Sequence, residues 1–406
     1  MPPHPREPLD RRRFLLAGGL LGLTVACGAD RSRRPSAAAS VPLSRPSAPA
    51  RLPLHADIPA VASGRSPEGG GRLKLLNYAE YISPDVCKRF GKEHGVEVEV
   101  EVTTFTTMDE MVAKLRTAGE SFDVCFPTPD VISKITVGKL LQPLNHDYLP
   151  NLANAWPQLQ DPFYDQGSRY TVAYNAYTTG VGYRADRVAS VPANGYDLLW
   201  DPAYKGKAYV LDDAREGLAM AMLRNGVTDV DTEDPAKIKQ AGAWLAELIG
   251  AMNIKIGISA YQLVPEGQAT VHHCWSGDMV NAQSYLPKGL DADALGYWSP
   301  SGATGVVGTD TLAIPRTASK PVLAHMFIDH LLDPAVAREN FAFTGYQPAI
   351  SAISPDKMVS DGFVTERLKS TIVTPEVYSR SLQLLQISPG AEALWNDAWA
   401  AFKAGR

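Results

Sequence analysis

The chain lacks the sequence signatures of most familiar catalysis. It contains no GxxxxGK[ST] phosphate loop, no HExxH, no CxxC and no GxSxG. Long apolar runs are missing too, so no stretch reaches the roughly 20 residues a membrane-spanning helix needs. Cysteine is scarce at four residues, too few for a disulfide-built scaffold. Excess positive charge is absent from the body. Residues 1–72 carry 11 Arg, no Lys and 5 acids, which leaves 28 basic and 39 acidic side chains in the rest. That acidic remainder disfavours a nucleic-acid partner and is compatible either with a cationic partner or with solubility alone. With 406 residues, 45% of them hydrophobic and 20% charged, the chain is long enough for two globular lobes.

The N-terminus is distinctive. Asp10-Arg11-Arg12-Arg13-Phe14-Leu15-Leu16 opens a short apolar segment that ends at Thr24-Val25-Ala26-Cys27. The pattern resembles a twin-arginine export signal running into a lipobox, which implies a protein exported folded and held to a membrane by lipid on Cys27. Residues 1–27 are therefore expected to be the signal. Residues 28–71, rich in Ala, Pro, Ser and Arg, offer too little apolar surface to offset chain entropy and read as a disordered tether. About 44 such residues would hold the folded part on the order of 35 Å from the lipid. The remaining cysteines, Cys87, Cys125 and Cys274, sit in apolar settings and read as buried thiols, although one disulfide plus a free thiol is also open.

From Leu73 the periodicity alternates. Leu73–Tyr78, Val96–Thr103 and Phe122–Phe126 read as strands, and Pro84–His94 and Met108–Ala118 as amphipathic helices. Such alternation implies an α/β fold with a mostly parallel sheet, whose ligands gather at the carboxyl ends of the strands, here Tyr78–Tyr81 and Pro127–Asp130. The second half repeats the theme. Tyr170–Tyr183 is a long β-prone run, Tyr209–Leu211, Val271–Trp275 and Thr309–Ile314 are further strands, and Asp234-Pro235 is an N-cap with Pro at the first helical position. Two α/β lobes joined by more than one crossing explain why no single linker divides residues 73–406.

Few residues stand out for chemistry. Gly180, Gly182 and Ala185 fit a short GxGxxA pattern, but Pro192 follows too soon for a full phosphate-binding helix. His272 and His273 are neighbours on a strand, point to opposite faces and do not readily share a metal. In Leu211-Asp212-Asp213-Ala214-Arg215-Glu216 a strand passes into a helix. The spacing of Asp213 and Glu216 fits an acidic capping box, and it also fits a pair of ionised carboxylates at the mouth of a sheet.

Six blocks occur in one order: Asn77-Tyr78-Ala79-Glu80-Tyr81, Asp212–Glu216, Trp275-Ser276-Gly277, Asp310–Pro315, Gly345-Tyr346-Gln347-Pro348 and Lys403–Arg406. Together they resemble the spermidine/putrescine-binding proteins of polyamine ABC importers over about residues 72–406. The resemblance implies a two-lobed periplasmic-binding-protein fold of type II with the ligand cleft between the lobes. Lobe 1 would span 72–180 with part of 312–345, and lobe 2 would span 181–311 with 346–406. Acidic contacts fall on Asp213, Glu216 and Asp310, with Glu80 as a further polar candidate. Aromatic walls fall on Tyr78, Tyr81, Trp275 and Tyr346, and polar contacts on Thr128 and Gln386. The chemistry is coherent, because carboxylates meet the ammonium groups of a polyamine while aromatic faces cover its methylenes and attract its charge. The chain departs from the family at Tyr78 and Gly308, where Trp is usual, and at Asp130, where Tyr is usual. A missing wall leaves room for a bulkier cation, and Asp130 adds a fourth anion.

The expectation is thus a monomeric, lipid-anchored extracytoplasmic receptor, not an enzyme. It needs no cofactor or metal, binds a polyamine or related organic cation, and delivers it to an ABC permease. Other readings are a receptor for an opine, an amino acid, a quaternary amine or ferric ion, or a secreted hydrolase using Asp213 and Glu216.

Overall fold

The computed structural model describes residues 41–93, 99–105, 107–117, 119–300 and 302–405. The expected signal, its Cys27 and the first part of the tether lie outside these residues. Eleven strands are present among the described residues: β1 (Arg72–Tyr78), β2 (Glu99–Phe105), β3 (Val124–Cys125), β4 (Thr171–Ala173), β5 (Tyr177–Arg184), β6 (Ala208–Leu211), β7 (Lys255–Gly257), β8 (Val271–Trp275), β9 (Leu295–Trp298), β10 (Val306–Gly308) and β11 (Thr311–Ala313).

They form two sheets. Lobe 1 has the order β2-β1-β3-β11-β4 and lobe 2 the order β10-β5-β8-β6-β7, with β9 also pairing β5. β1, β2 and β3 run parallel, whereas β11 is antiparallel to both β3 and β4. The sheets are therefore mixed rather than mostly parallel, because the chain returns into lobe 1 directly from lobe 2 instead of through a crossover helix.

That return defines the hinge. The β-prone run Tyr170–Tyr183 is two strands, β4 in lobe 1 and β5 in lobe 2, separated by Tyr174–Ala176. β10 and β11 are likewise split at Thr309–Asp310. The chain thus changes lobe ahead of the expected boundary at residue 180 and again just before 311. Trp156, Leu159, Ala173, Ala176, Val307, Ala349, Val373 and Tyr378 pack into one buried cluster where these segments meet.

Each sheet is covered by helices that bury one face. The Pro84–Glu93 helix sets Phe90, fully buried, edge-on to Phe327 at 4.9 Å from the Pro321–Leu331 helix. Burying such a side chain stabilises the fold by about 1.5–3 kcal/mol. In lobe 2 the Pro235–Met252 helix starts at Asp234, whose side chain accepts from the Ala236 amide, and buries Ile238, Ala241, Leu245, Leu248 and Met252. Both helices begin where the sequence places them.

Residues 41–71 differ from expectation. They form a strap docked on lobe 1 rather than a disordered tether. Leu52, Ile58 and Val61 are buried, and their neighbours hydrogen-bond the body: Tyr170 Oη donates to Pro53 O at 2.6 Å, and Asn145 Nδ2 donates to Val61 O at 2.9 Å. Glu68 Oε2 accepts from the Leu323 amide at 3.0 Å and so serves as the anionic cap that Lys320 cannot supply to the next helix. Three spaced apolar side chains in a polar segment suffice to hold it because the body supplies the complementary groove. At its other end the strap reaches lobe 2, where Arg45 Nη2 donates to Gln386 O at 2.7 Å.

Cys87, Cys125 and Cys274 are buried and unpaired. His272 stacks on Tyr209 with ring centroids 5.3 Å apart, while His273 lies edge-on to Tyr196. Burial lowers their pKa values to about 4 and about 3, so both are neutral packing residues at physiological pH. Gly182 is a packing glycine: a Cβ there would lie 2.3 Å from Met279 Sδ.

Candidate functional site

The lobe 1 wall begins at the carboxyl end of β1. Tyr78 closes the strand, and Glu80 turns the chain in the left-handed region with φ 57°. Tyr81 then enters a buried ring cluster, 5.5 Å from Tyr78, 5.5 Å from Tyr174 and 4.8 Å from Tyr346. Its hydroxyl donates to Asp310 Oδ2. Asp310 sits in the hinge and is only 4% exposed. The hinge residue Asn175 holds it twice, with Nδ2 donating to Oδ2 at 3.3 Å and Oδ1 accepting from the Asp310 amide at 2.8 Å. Burial still pushes the Asp310 carboxyl up to about 6, because two neutral donors do not replace full hydration.

Beside it, β3 ends and Pro127 O accepts from both the amide and the hydroxyl of Thr311, at 3.0 and 2.7 Å. This ties the start of the Pro129–Val137 helix to the residue after Asp310. Thr128 is the N-cap, Pro129 follows, and Asp130 lies in the first turn. The Thr128 side chain is hydrogen-bonded to Asp130 and favours its ionised form. Burial raises the pKa of Asp130.

Lobe 2 supplies the facing wall. β6 ends at Leu211, and Asp213 caps the Ala214–Arg224 helix, its Oδ1 accepting from the Glu216 amide at 2.9 Å. Glu216 does not reach back to complete the box. Its Oε1 instead accepts from Trp275 Nε1 and Thr179 Oγ1, both at 3.0 Å. At 6% exposed, Glu216 is pushed up to about 7 by burial and by the neighbouring Asp213 charge. The capping role thus falls to Asp213 alone, Glu216 turns to Trp275 and Thr179, and burial raises both carboxyls against the expectation that they stay ionised.

Trp275 ends β8, and the next turn places Gly277 against Tyr346, where a Cβ would lie 2.6 Å from the ring. Tyr346 Oη donates to Asp278 Oδ1 at 3.1 Å. Asp278 is 4% exposed, its Oδ2 has no partner among the described residues, and burial pushes it to about 7. Tyr177 completes the wall, 6.2 Å from Trp275 and 6.1 Å from Tyr346. Its ring occupies the space beside Gly308, where a Cβ would lie 2.4 Å from Tyr177 Cζ. The gap expected from the missing Trp at 308 is therefore filled.

The two walls face each other. Beyond burial, the Tyr78 phenol is raised by the fields of Asp310, Asp130 and Asp213, and the Tyr177 phenol by Asp310, Glu216 and Asp130 among others. Carboxylates of both lobes thus act on the same rings. Arg215 is the basic side chain nearest this set. It is engaged elsewhere, with Nη2 on Asp231 Oδ1 at 2.5 Å and Nη1 on Leu385 O at 3.1 Å. Gln386 lies in the same loop, and its Oε1 is buried without a partner among the described residues.

Glu80 is the exception. It is exposed, because the left-handed turn that delivers Tyr81 to the interior leaves the residue before it outside. A cavity of about 410 Å³ lies between Leu159–Tyr164 of lobe 1 and Leu382–Leu385 of lobe 2, and none of the expected site residues lines it. Tyr177, Asn175, Thr179 and Asp278 were not singled out by sequence. The pairing of Gly308 with Tyr177 across β10 and β5 is the signal for the first, since a small residue opposite a large ring marks the side chain that fills the space.

Residues 85–363 match the bacterial extracellular solute-binding proteins. The chain belongs to this family. It is 29% identical over 278 residues to the spermidine/putrescine-binding periplasmic protein of Escherichia coli K12, covering 68% of this chain and 76% of that one. It is 31% identical over 279 residues to the putrescine/cadaverine-binding protein of Pseudomonas aeruginosa, covering 66% and 76%. The solved spermidine/putrescine ABC transporter substrate-binding protein of Streptococcus pneumoniae superposes with a TM-score of 0.67 at 22% identity, covering 83% of this chain and 99% of the other. This solute-binding protein accordingly has the two-lobed periplasmic-binding-protein architecture, with the aromatic and acidic residues above at the junction of its lobes.

Proposed function

We propose that this protein is the extracytoplasmic receptor of an ABC importer, that it binds a linear polyamine of the spermidine/putrescine class between its lobes, and that it presents the closed form to a membrane permease. Lipid on Cys27 anchors it, and it acts as a monomer without chemical turnover. One observation carries this reading: the rings of Tyr78, Tyr81, Tyr177, Trp275 and Tyr346 form one chain of contacts across the lobes, with Asp310 hydrogen-bonded to Tyr81, Glu216 to Trp275 and Asp213 capping the helix of Glu216, while Arg215 is bound to Asp231. Buried carboxylates without basic partners are costly and raise their own pKa values. A guest bearing several ammonium groups removes that cost, and the rings cover the methylenes between its charges, each cation on a ring contributing about 0.5–2 kcal/mol. Closure excludes water and strengthens every charge pair, which couples occupancy to the shape a permease reads.

Isothermal titration and thermal shift with spermidine, putrescine, glycine betaine, arginine and ferric citrate test the assignment. A polyamine is expected to bind most tightly and to raise the apparent Tm in proportion to the logarithm of its concentration. Binding of an amino acid or ferric salt with no polyamine response would overturn it.

A further inference from the structure

Resting on the polyamine reading, we infer that Asp130 is a specificity-determining residue: it gives the cleft a fourth anchoring carboxylate and selects guests with at least three cationic centres over diamines. Its position supports this. Asp130 sits in the first turn of the Pro129–Val137 helix, directly after the Pro127 carbonyl that is clamped to Thr311, and so beside Asp310 at the hinge. Asp213 from the opposite lobe and Asp310 from the hinge both feel its charge, and so do the rings of Tyr78 and Tyr177. Asp130 therefore stands on the lobe 1 side of the cleft, within one helical turn of the clamp that positions Asp310.

Thr128 hydrogen-bonds Asp130, but among the described residues no cation is paired with it. Arg215 influences it through space but is committed to Asp231, Val230 O and Leu385 O. One polar atom in the loop that Arg215 holds is also unmet, Gln386 Oε1, and it accepts from N–H donors. A diamine satisfies two of the four carboxylates and leaves the others to be buried protonated or unpaired. A triamine or tetraamine pairs three or four of them, and the added ammonium can also donate to Gln386 Oε1. The advantage of the larger guest is thus a charge pair with hydrogen bonds, not extra apolar contact.

The test is titration calorimetry of the wild type, Asp130→Asn and Asp130→Glu with putrescine, spermidine and spermine at pH 8. The wild type is expected to bind spermidine and spermine more tightly than putrescine. In Asp130→Asn that preference should shrink on the order of tenfold or more, which corresponds to about 1.4 kcal/mol per decade, and Asp130→Glu should retain most of it. Far- and near-ultraviolet circular dichroism of Asp130→Asn matching the wild type reports an intact fold. Equal losses for all three amines, or an unchanged ratio, would overturn the role of Asp130 while leaving the receptor assignment standing. Absence of any amine binding by the wild type would sink the receptor assignment instead.

Discussion

Asp310 shows how much a single side chain can be asked to do. It is buried in the hinge, held by Tyr81 and Asn175, and shares its surroundings with Asp130. Replacing it by Asn keeps the shape and removes the charge. Asp310→Asn and Asp213→Asn are each expected to weaken polyamine binding by about 3–5 kcal/mol, since a buried ammonium then loses its partner. Calorimetry on both variants measures this, and unchanged affinity in both would remove the two residues from the site. Asp213 and Glu216 stand out in sequence because their three-residue spacing is tied to a helix start, whereas their place among the acidic contacts, and that of Asp310, comes with the family resemblance. Tyr177 and Asn175 do not stand out, because their role depends on which strands become neighbours. Tyr177 matters only beside Gly308, and nothing local announces that β5 and β10 pair. Glu80 shows the opposite failure, since an acidic residue between two site tyrosines looks local to the cleft until the backbone turn is known.

Elements were read more securely than their partition between lobes. The helices at Pro84, Met108, Asp213 and Pro235 begin where caps, proline and apolar spacing place them. The run from Tyr170 to Tyr183 has no glycine or proline at its break, so a change of sheet at Tyr174–Ala176 leaves no mark in composition. There the backbone is satisfied across lobes instead: the Tyr174 amide donates to Asp310 O and the Ala176 amide to Gln347 O, at 2.8 and 2.9 Å. The strap at 41–71 escaped notice for a related reason, as its composition is that of a linker and its partners are distant. Leu52 is 1% exposed and packs into the lobe 1 core with Tyr164 and Tyr170. Leu52→Ala is therefore expected to cost about 2–5 kcal/mol in denaturant unfolding. A change below a few tenths would show that the strap is not part of the folded unit.

For the molecule as a whole, the proposed function makes ligand and proton compete for the same oxygens. Burial raises Glu216 from an ordinary 4.5 to about 7 and Asp310 to about 6, with Asp130 and Asp213 raised as well. A carboxyl raised on folding contributes stability that is complete below its unfolded pKa and is lost as pH climbs through the folded one. The empty closed protein should accordingly lose stability between about pH 4.5 and 7, and a polyamine should restore it. The ligand-induced rise in Tm is expected to be larger at pH 7.5 than at pH 5.5. Binding should also release protons near neutrality, seen as a calorimetric heat that changes with the ionisation enthalpy of the buffer. Equal heats in phosphate and Tris would mean that the carboxylates are already ionised before the guest arrives.

The docked strap also sets a distance. About 17 residues separate Cys27 from Ser44, the first buried residue of the strap. A polypeptide extends no more than about 3.5 Å per residue, so with lipid on Cys27 this leash cannot let Ser44 stray beyond about 60 Å from its anchor. Were all the residues up to Gly71 free, the same limit would be about 150 Å. On the proposed lipid anchoring, fastening residues 44–71 to the body would keep each receptor within the shorter limit of the bilayer. On that reading the encounter with a permease would become a search in two dimensions, with local concentration rather than affinity setting how often a loaded receptor arrives.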